Sequence, residues 1–257
     1  GKVRVQYEEE NQYDKQPMEG GYFQNGLEQI ARGKYLATCE GDDYWTDKGK
    51  LQAQYDYMEA HPECVCCGHR AIVVDARNGD VPVSDLGYGE ESCDLTPEQI
   101  IRGFSLQTAT LFYRAGFSDK YLREWPLLRV VGDYPWVVFL SQQGTVHYDK
   151  EARSVYRSMA AGSYSSESDE GKRIMGYKQL IQLHLALDDL TNRQYTDQFL
   201  ARARLYAWLL VVADGYRFFM EEPNRGDERF KRLLPFSQRI KAQALHALMM
   251  IKRTIIG

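Results

Sequence analysis

Through residue 168 this chain alternates short apolar runs with short amphipathic ones; beyond that point it turns to long stretches of helical periodicity alone. Strands and helices alternating at such spacing need crossover connections, and those belong to an α/β sheet. Strand-like runs fall at residues 2–7, 35–39, 64–75, 108–113 and 146–156. Helical ones fall at residues 25–32, closed by Gly33, at 134–142, and in a short segment opened by Thr96-Pro97. Thr46 and Asp47 are suited to cap a helix with Leu51, Tyr55 and Met58 on one face, ended by His61-Pro62. Asn78-Gly79 marks a turn, and residues 82–93 read as a loop. The long helical patterns cover residues 171–189, 195–220 and 230–256. The expected organisation is an α/β domain over residues 1–168, then a helical region over 169–257.

Charge and cysteine usage narrow the class of function. Of 257 residues, 32 are Lys or Arg and 36 are Asp or Glu, a net charge of −4. Neutralising a phosphate backbone takes a basic excess, so no nucleic-acid partner is expected. The longest run without a charged residue, 134–148, holds a proline, a glycine and two glutamines. It is too short and too polar for a bilayer, which takes about 20 apolar residues. Five cysteines, an odd number, with no charged-then-apolar leader before them, read as reduced thiols in the cytoplasm. Cys64-Val65-Cys66-Cys67-Gly68-His69 suggests a metal loop, but zinc sites draw further ligands from a second cluster. His147, His184 and His246 stand apart, and alternation through Cys67, His69, Ala71 and Val73 fits a strand.

The apolar run at 35–39 is followed at once by Glu40-Gly41-Asp42-Asp43. In open α/β sheets, ligands bind at the carboxyl ends of strands. Carboxylates gathered there repel one another unless a cation or a donor sits between them. Hard ions such as Mg²⁺ or Mn²⁺ suit such oxygens and often share them with a diphosphate. A solvated surface turn is the plainer reading.

Gly33-Lys34-Tyr35-Leu36-Ala37 followed by Glu40-Gly41-Asp42-Asp43-Tyr44-Trp45-Thr46-Asp47 resembles the GT-A glycosyltransferases of family two. Further pieces stand in that family's order. Asn25 lies where the helix before the acidic motif usually carries Asn. Thr108-Ala109-Thr110-Leu111-Phe112-Tyr113-Arg114 resembles the strand beside the acceptor, and Val131-Gly132-Asp133-Tyr134-Pro135 the stretch with the catalytic base. Ser154-Val155-Tyr156-Arg157 resembles the strand that closes the site. The resemblance spans about residues 2–165.

It implies a GT-A-like, Rossmann-type mixed sheet with flanking helices. It also implies inverting transfer of a sugar from a nucleotide diphosphate sugar, UDP-linked, to a glycan or lipid-linked acceptor in bacterial cell-surface polysaccharide assembly. On this expectation Asp133 is the base, its bland alternative being a helix N-cap. Asp42 holds Mg²⁺ or Mn²⁺ with Glu40 or Asp43 in support, and Asn11, Trp45 and Arg157 line the donor site. Thr108 lies on the acceptor side. Three departures stand out: Glu40 for the first Asp, Gly132 for the Glu before the base, and Met159 where many members carry a His ligand. The family's opening strand and uracil loop have no counterpart before Gly1, so a first βαβ unit is expected to be missing, and the piece alone need not be active. The departures feed a second reading, a non-catalytic module with a degenerate GT-A fold that binds nucleotide or glycan.

Residues 230–257 carry six basic side chains and no acidic one, with Ile240, Ala244, Leu248, Ile251 and Ile255 at helical spacing. The expectation is a helix packed on the α/β domain with a solvated basic face. The sharper reading is a cytoplasmic protein in peripheral contact with the inner face of the plasma membrane.

Overall fold

The computed structural model describes residues 31–103, 106–125, 132–160, 170–221 and 224–256. It is a mixed α/β protein. Among the described residues seven strands form one sheet: β1 (Tyr35–Ala37), β2 (Tyr44–Trp45), β3 (Cys64–Asp75), β4 (Val81–Leu86), β5 (Cys93–Leu95), β6 (Phe112–Arg114) and β7 (Thr145–Ser158). Their order is β1-β6-β3-β7-β2, with β4 added to β3 and β5 to β7. β3 and β7 run parallel, and the other pairings are antiparallel. The flanking helices are α1 (Lys50–Ala60), α2 (Pro97–Gly103), α3 (Ser118–Glu124) and α4 (Asp133–Ser141). Beyond them come α5 (Glu170–Leu190), α6 (Thr196–Asp214), α7 (Glu228–Leu233) and α8 (Phe236–Ile256).

β3 falls where apolar alternation puts it. The Asn78-Gly79 turn after it is real: Asp75 accepts a hydrogen bond from the Arg77 amide, and Gly79 takes φ 67. That turn folds a strand back on β3, so the segment read as a loop from 82 opens with β4, whose Val74↔Pro82 and Asp75↔Val81 pairs follow a bulge. A strand beginning at Val81 with Pro82 inside it carries little β signal. Thr96 and Gln99 form a reciprocal cap on α2, Oγ1 accepting from the Gln99 amide at 3.2 Å and Oε1 from the Thr96 amide at 2.8 Å.

Other expectations need correcting. Residues 108–113 are not one strand: Thr108–Thr110 is a 3₁₀ turn, and the strand proper is β6. The buried face of α1 is Lys50, Gln54 and Met58, whereas Leu51 and Tyr55 are exposed. The second long helix stops at Asp214, because Gly215 turns to φ 74. The third is split into α7 and α8 by Pro235. Nor does α8 lie on the α/β part; it packs on α6.

The core joins both halves of the chain. Tyr134 through Leu140 of α4 are all buried, and Leu183, Leu187 and Phe199 of α5 and α6 belong to the same apolar cluster. The change of character near residue 168 is thus a change of secondary structure, while the core runs across it.

Candidate active site

β1 ends three residues before Glu40, and the turn closes with the Asp43 amide donating to the Glu40 carbonyl at 3.2 Å. β2 then pairs with β7 through Tyr44↔Val155 and Trp45↔Ser154, which pins the far side of the turn. The Arg157 amide donates to Asp43 Oδ1 at 2.9 Å. From the other side comes Gln107, just before the 3₁₀ turn. Its amide Nε2 donates to Glu40 Oε2 at 3.1 Å and to Asp43 Oδ2, while its Oε1 accepts from the Ala109 amide at 3.0 Å. The same turn accepts from Thr38 Oγ1 at the Thr108 carbonyl, 2.9 Å, and from Trp45 Nε1 at the Ala109 carbonyl, 2.9 Å. The acidic turn and residues 107–110 are therefore one interlocked unit.

That unit concentrates negative charge in a poorly solvated place. Burial lifts the Glu40 carboxyl from 4.5 to about 7; the charges of Asp43, Asp133 and Asp42 add to the effect, and a Thr108 side-chain hydrogen bond opposes it. Asp43 is raised as well, first by burial and then by Asp42, against the Arg157 amide, Gln107 and a hydrogen bond with Glu40. At neutral pH Glu40 is thus partly protonated.

Asp133 opens α4, and its charge is one of those that raise Glu40. It does not cap the helix. Gly132 occupies the cap position, and Asp133 Oδ1 accepts from the Tyr134 amide at 2.8 Å. Burial pushes its carboxyl up to about 6, against the backbone amides of Tyr134 and Asp133 itself. Glu40, Asp42 and Asp43 share the turn that residues 107–110 clamp, and the charge of Asp133 reaches Glu40.

The remaining expected residues fall out differently. Trp45 is 37% exposed, with the Lys50 ammonium 4.5 Å above its ring. The Arg157 guanidinium is engaged by Asp80, Nε donating to both carboxylate oxygens at 3.0 and 3.1 Å. What Arg157 gives the acidic turn is its backbone N–H on Asp43. Met159 adopts φ 60 just after β7. Asn11 and Asn25 lie outside the described residues.

Among the described residues no three His, Cys, Asp or Glu side chains converge on a point that could hold a metal. Glu40 and Asp43 are engaged by protein donors, which leaves Asp42, half-buried in the turn, as the available carboxylate. One carboxylate is not a protein-made metal cage; Mg²⁺ held by so few protein oxygens is commonly completed by water or substrate phosphates.

Sequence reasoning missed Gln107 and Lys50. Lys50 is fully buried, donates to Gln54 Oε1 at 2.9 Å, and is depressed to about 8 by burial. Its one sequence-level signal is the spacing of Lys50 and Gln54, four residues apart on a helix.

A mixed α/β protein with interacting carboxylates at the end of a strand is what fold and site define. No family model matches the chain. It is 29% identical over 188 residues, 70% of its length, to an uncharacterized protein of Mycobacterium bovis and to uncharacterized proteins of Mycobacterium tuberculosis. The match takes in 51% of each of them, so the chain spans about half the length of the curated relatives it matches.

Proposed function

We propose that this chain carries the catalytic site of an inverting, GT-A-like glycosyltransferase acting on a nucleoside diphosphate sugar. The observation that supports the reading is the acidic turn Glu40-Gly41-Asp42-Asp43 clamped by Gln107 after β1, with the buried Asp133 close enough for its charge to raise Glu40. An acceptor hydroxyl is a poor nucleophile until a base takes its proton as the new bond forms. Asp133 is that base. A carboxylate lifted to about 6 is still ionised at neutral pH, yet binds a proton more firmly than an ordinary Asp. The hydroxyl proton passes to Asp133, the acceptor oxygen bonds the anomeric carbon from the face opposite the diphosphate, and the carbon–oxygen bond to the diphosphate breaks.

Asp42 would hold Mg²⁺ or Mn²⁺, whose chemistry when bound is to neutralise charge on the departing diphosphate. Gln107 fixes Glu40 and Asp43 beside it, and Trp45, held by its indole N–H, offers an aromatic edge to the donor. The donor sugar class and the lipid-linked or glycan acceptor follow from the resemblance alone.

Titration of UDP and GDP into the protein, with and without Mn²⁺, tests the reading. Metal-dependent nucleotide binding weakened more by Asp42→Ala than by Glu40→Ala is expected. Equal losses would make both carboxylates direct ligands, and nucleotide binding indifferent to either would refute the site. Binding without sugar transfer or donor hydrolysis, in the full-length protein as well, would favour a non-catalytic module.

A further inference from the structure

α8 touches its neighbours along a narrow strip. Ala242 is fully buried, His246 Nδ1 lies 3.1 Å from the Val212 carbonyl of α6, and Arg239 stacks 5.4 Å from the Tyr216 ring while donating to the Leu234 carbonyl. At 100° per residue, Phe236, Ile240, Leu248 and Ile251 fall on the other side of the helix. They are 76%, 52%, 62% and 56% exposed. An amphipathic helix on a globular protein turns its apolar stripe to the core; this one turns it outward.

The helix carries no acidic residue, and the charge that borders the stripe is Lys241, since Arg239 lies on the packed side. Lys241 also lines a shallow groove with Arg204, Gln238, Trp208 and Leu205, itself 59% exposed. A second copy laid on this face would bring like charges against like. An anionic lipid surface meets both features, taking the apolar stripe at the headgroup boundary and the cations over acidic headgroups. No helix of the described residues is long and apolar enough to cross a membrane, so α8 would lie in the interface plane.

We propose that α8 docks the protein on an anionic lipid surface through Phe236, Ile240, Leu248 and Ile251, with Lys241 at the border of the contact. The proposal is independent of the transferase reading, and its test uses no activity assay. The whole protein is floated with vesicles of phosphatidylcholine alone or mixed with phosphatidylglycerol. Binding to the anionic vesicles is expected to exceed that to neutral ones by about tenfold and to fall in about 0.5 M salt, where screening shortens the Debye length to a few Å. The Ile240→Glu/Ile251→Glu variant should lose binding while keeping its circular dichroism and melting temperature. Val81→Glu/Val83→Glu, the same change on exposed β4, should keep it. Binding that ignores lipid charge, or that survives the α8 variant, overturns the proposal. So does a dimer in light scattering that the α8 variant dissociates while lipid binding is absent.

Discussion

Glu40 and Asp133 depart from ordinary carboxyls in the same direction, and the direction has consequences for both stability and rate. A carboxyl raised by folding binds its proton more tightly in the native state. Its contribution to stability is complete below the ordinary carboxylate range and is lost as pH rises, through about 7 for Glu40 and about 6 for Asp133. The rate behaves oppositely, because the proposed base works only when ionised. Transfer is expected to fall about tenfold per pH unit below about 6 and to level off above it. Asp133→Asn should lower transfer by about 10²- to 10⁴-fold and leave nucleotide affinity nearly unchanged, since the base acts on the acceptor. Rate profiles and calorimetry check this; a variant keeping more than about a tenth of the rate removes Asp133 from the role.

Two elements show how the site is braced and how far the sequence discloses it. β3 is legible to its last residue, because alternation and an Asn-Gly turn are local signals. The buried face of α1 is not, because it is polar: Gln54 Nε2 donates to the Cys67 carbonyl at 3.3 Å and to the Thr110 carbonyl at 2.9 Å, and Lys50 rests on Gln54. Hydrophobic periodicity sees Leu51 and Tyr55 instead and misses a face built from satisfied polar groups. The Gln107 clamp was equally invisible, since its partners stand 64 and 67 residues away. The acidic turn itself was legible, as a strand end followed at once by carboxylates.

Lys50 offers a check on α1. Its ammonium is depressed from 10.5 to about 8, so its stabilising contribution exists above the ordinary lysine value and is lost as pH falls through about 8. Melting temperature should therefore climb between about pH 8 and 10.5 more steeply in the native protein than in Lys50→Met. Parallel curves would mean the lysine is solvated. For β7, Arg157→Ala is expected to keep nucleotide affinity within about threefold, because a half-exposed ion pair with Asp80 is worth about 0–1 kcal/mol and the backbone N–H on Asp43 survives the change. A large loss in calorimetry would return the guanidinium to the donor.

Across the whole molecule the question is whether the α/β part and the helices beyond residue 168 melt as one unit. The seam between them is aromatic. His184 of α5 has Tyr134 of α4 at 5.4 Å between ring centroids, Tyr206 at 5.8 Å and Phe199 at 6.4 Å. Phe199 of α6 is fully buried in the cluster that holds Trp136, Phe139 and Tyr148. Arg229 of α7 ties the end of α5 to the rest, donating to Asp188 at 2.9 Å, where the Asp188 side chain is fully buried. With the catalytic base proposed at the start of α4 and α5 packed on that same helix, loosening the seam should reach Asp133. Phe199→Ala removes a buried ring at a cost of about 3–5 kcal/mol. At about 2–4 °C per kcal/mol, melting should fall by about 10 °C. The fall should appear together in near-ultraviolet dichroism, to which three of the four tryptophans contribute from the α/β part, and in far-ultraviolet dichroism, which the long helices dominate. Two separated transitions, or a loss confined to the far-ultraviolet signal, would mean that the helices fold as a unit of their own and that the shared cluster does not couple them to the site.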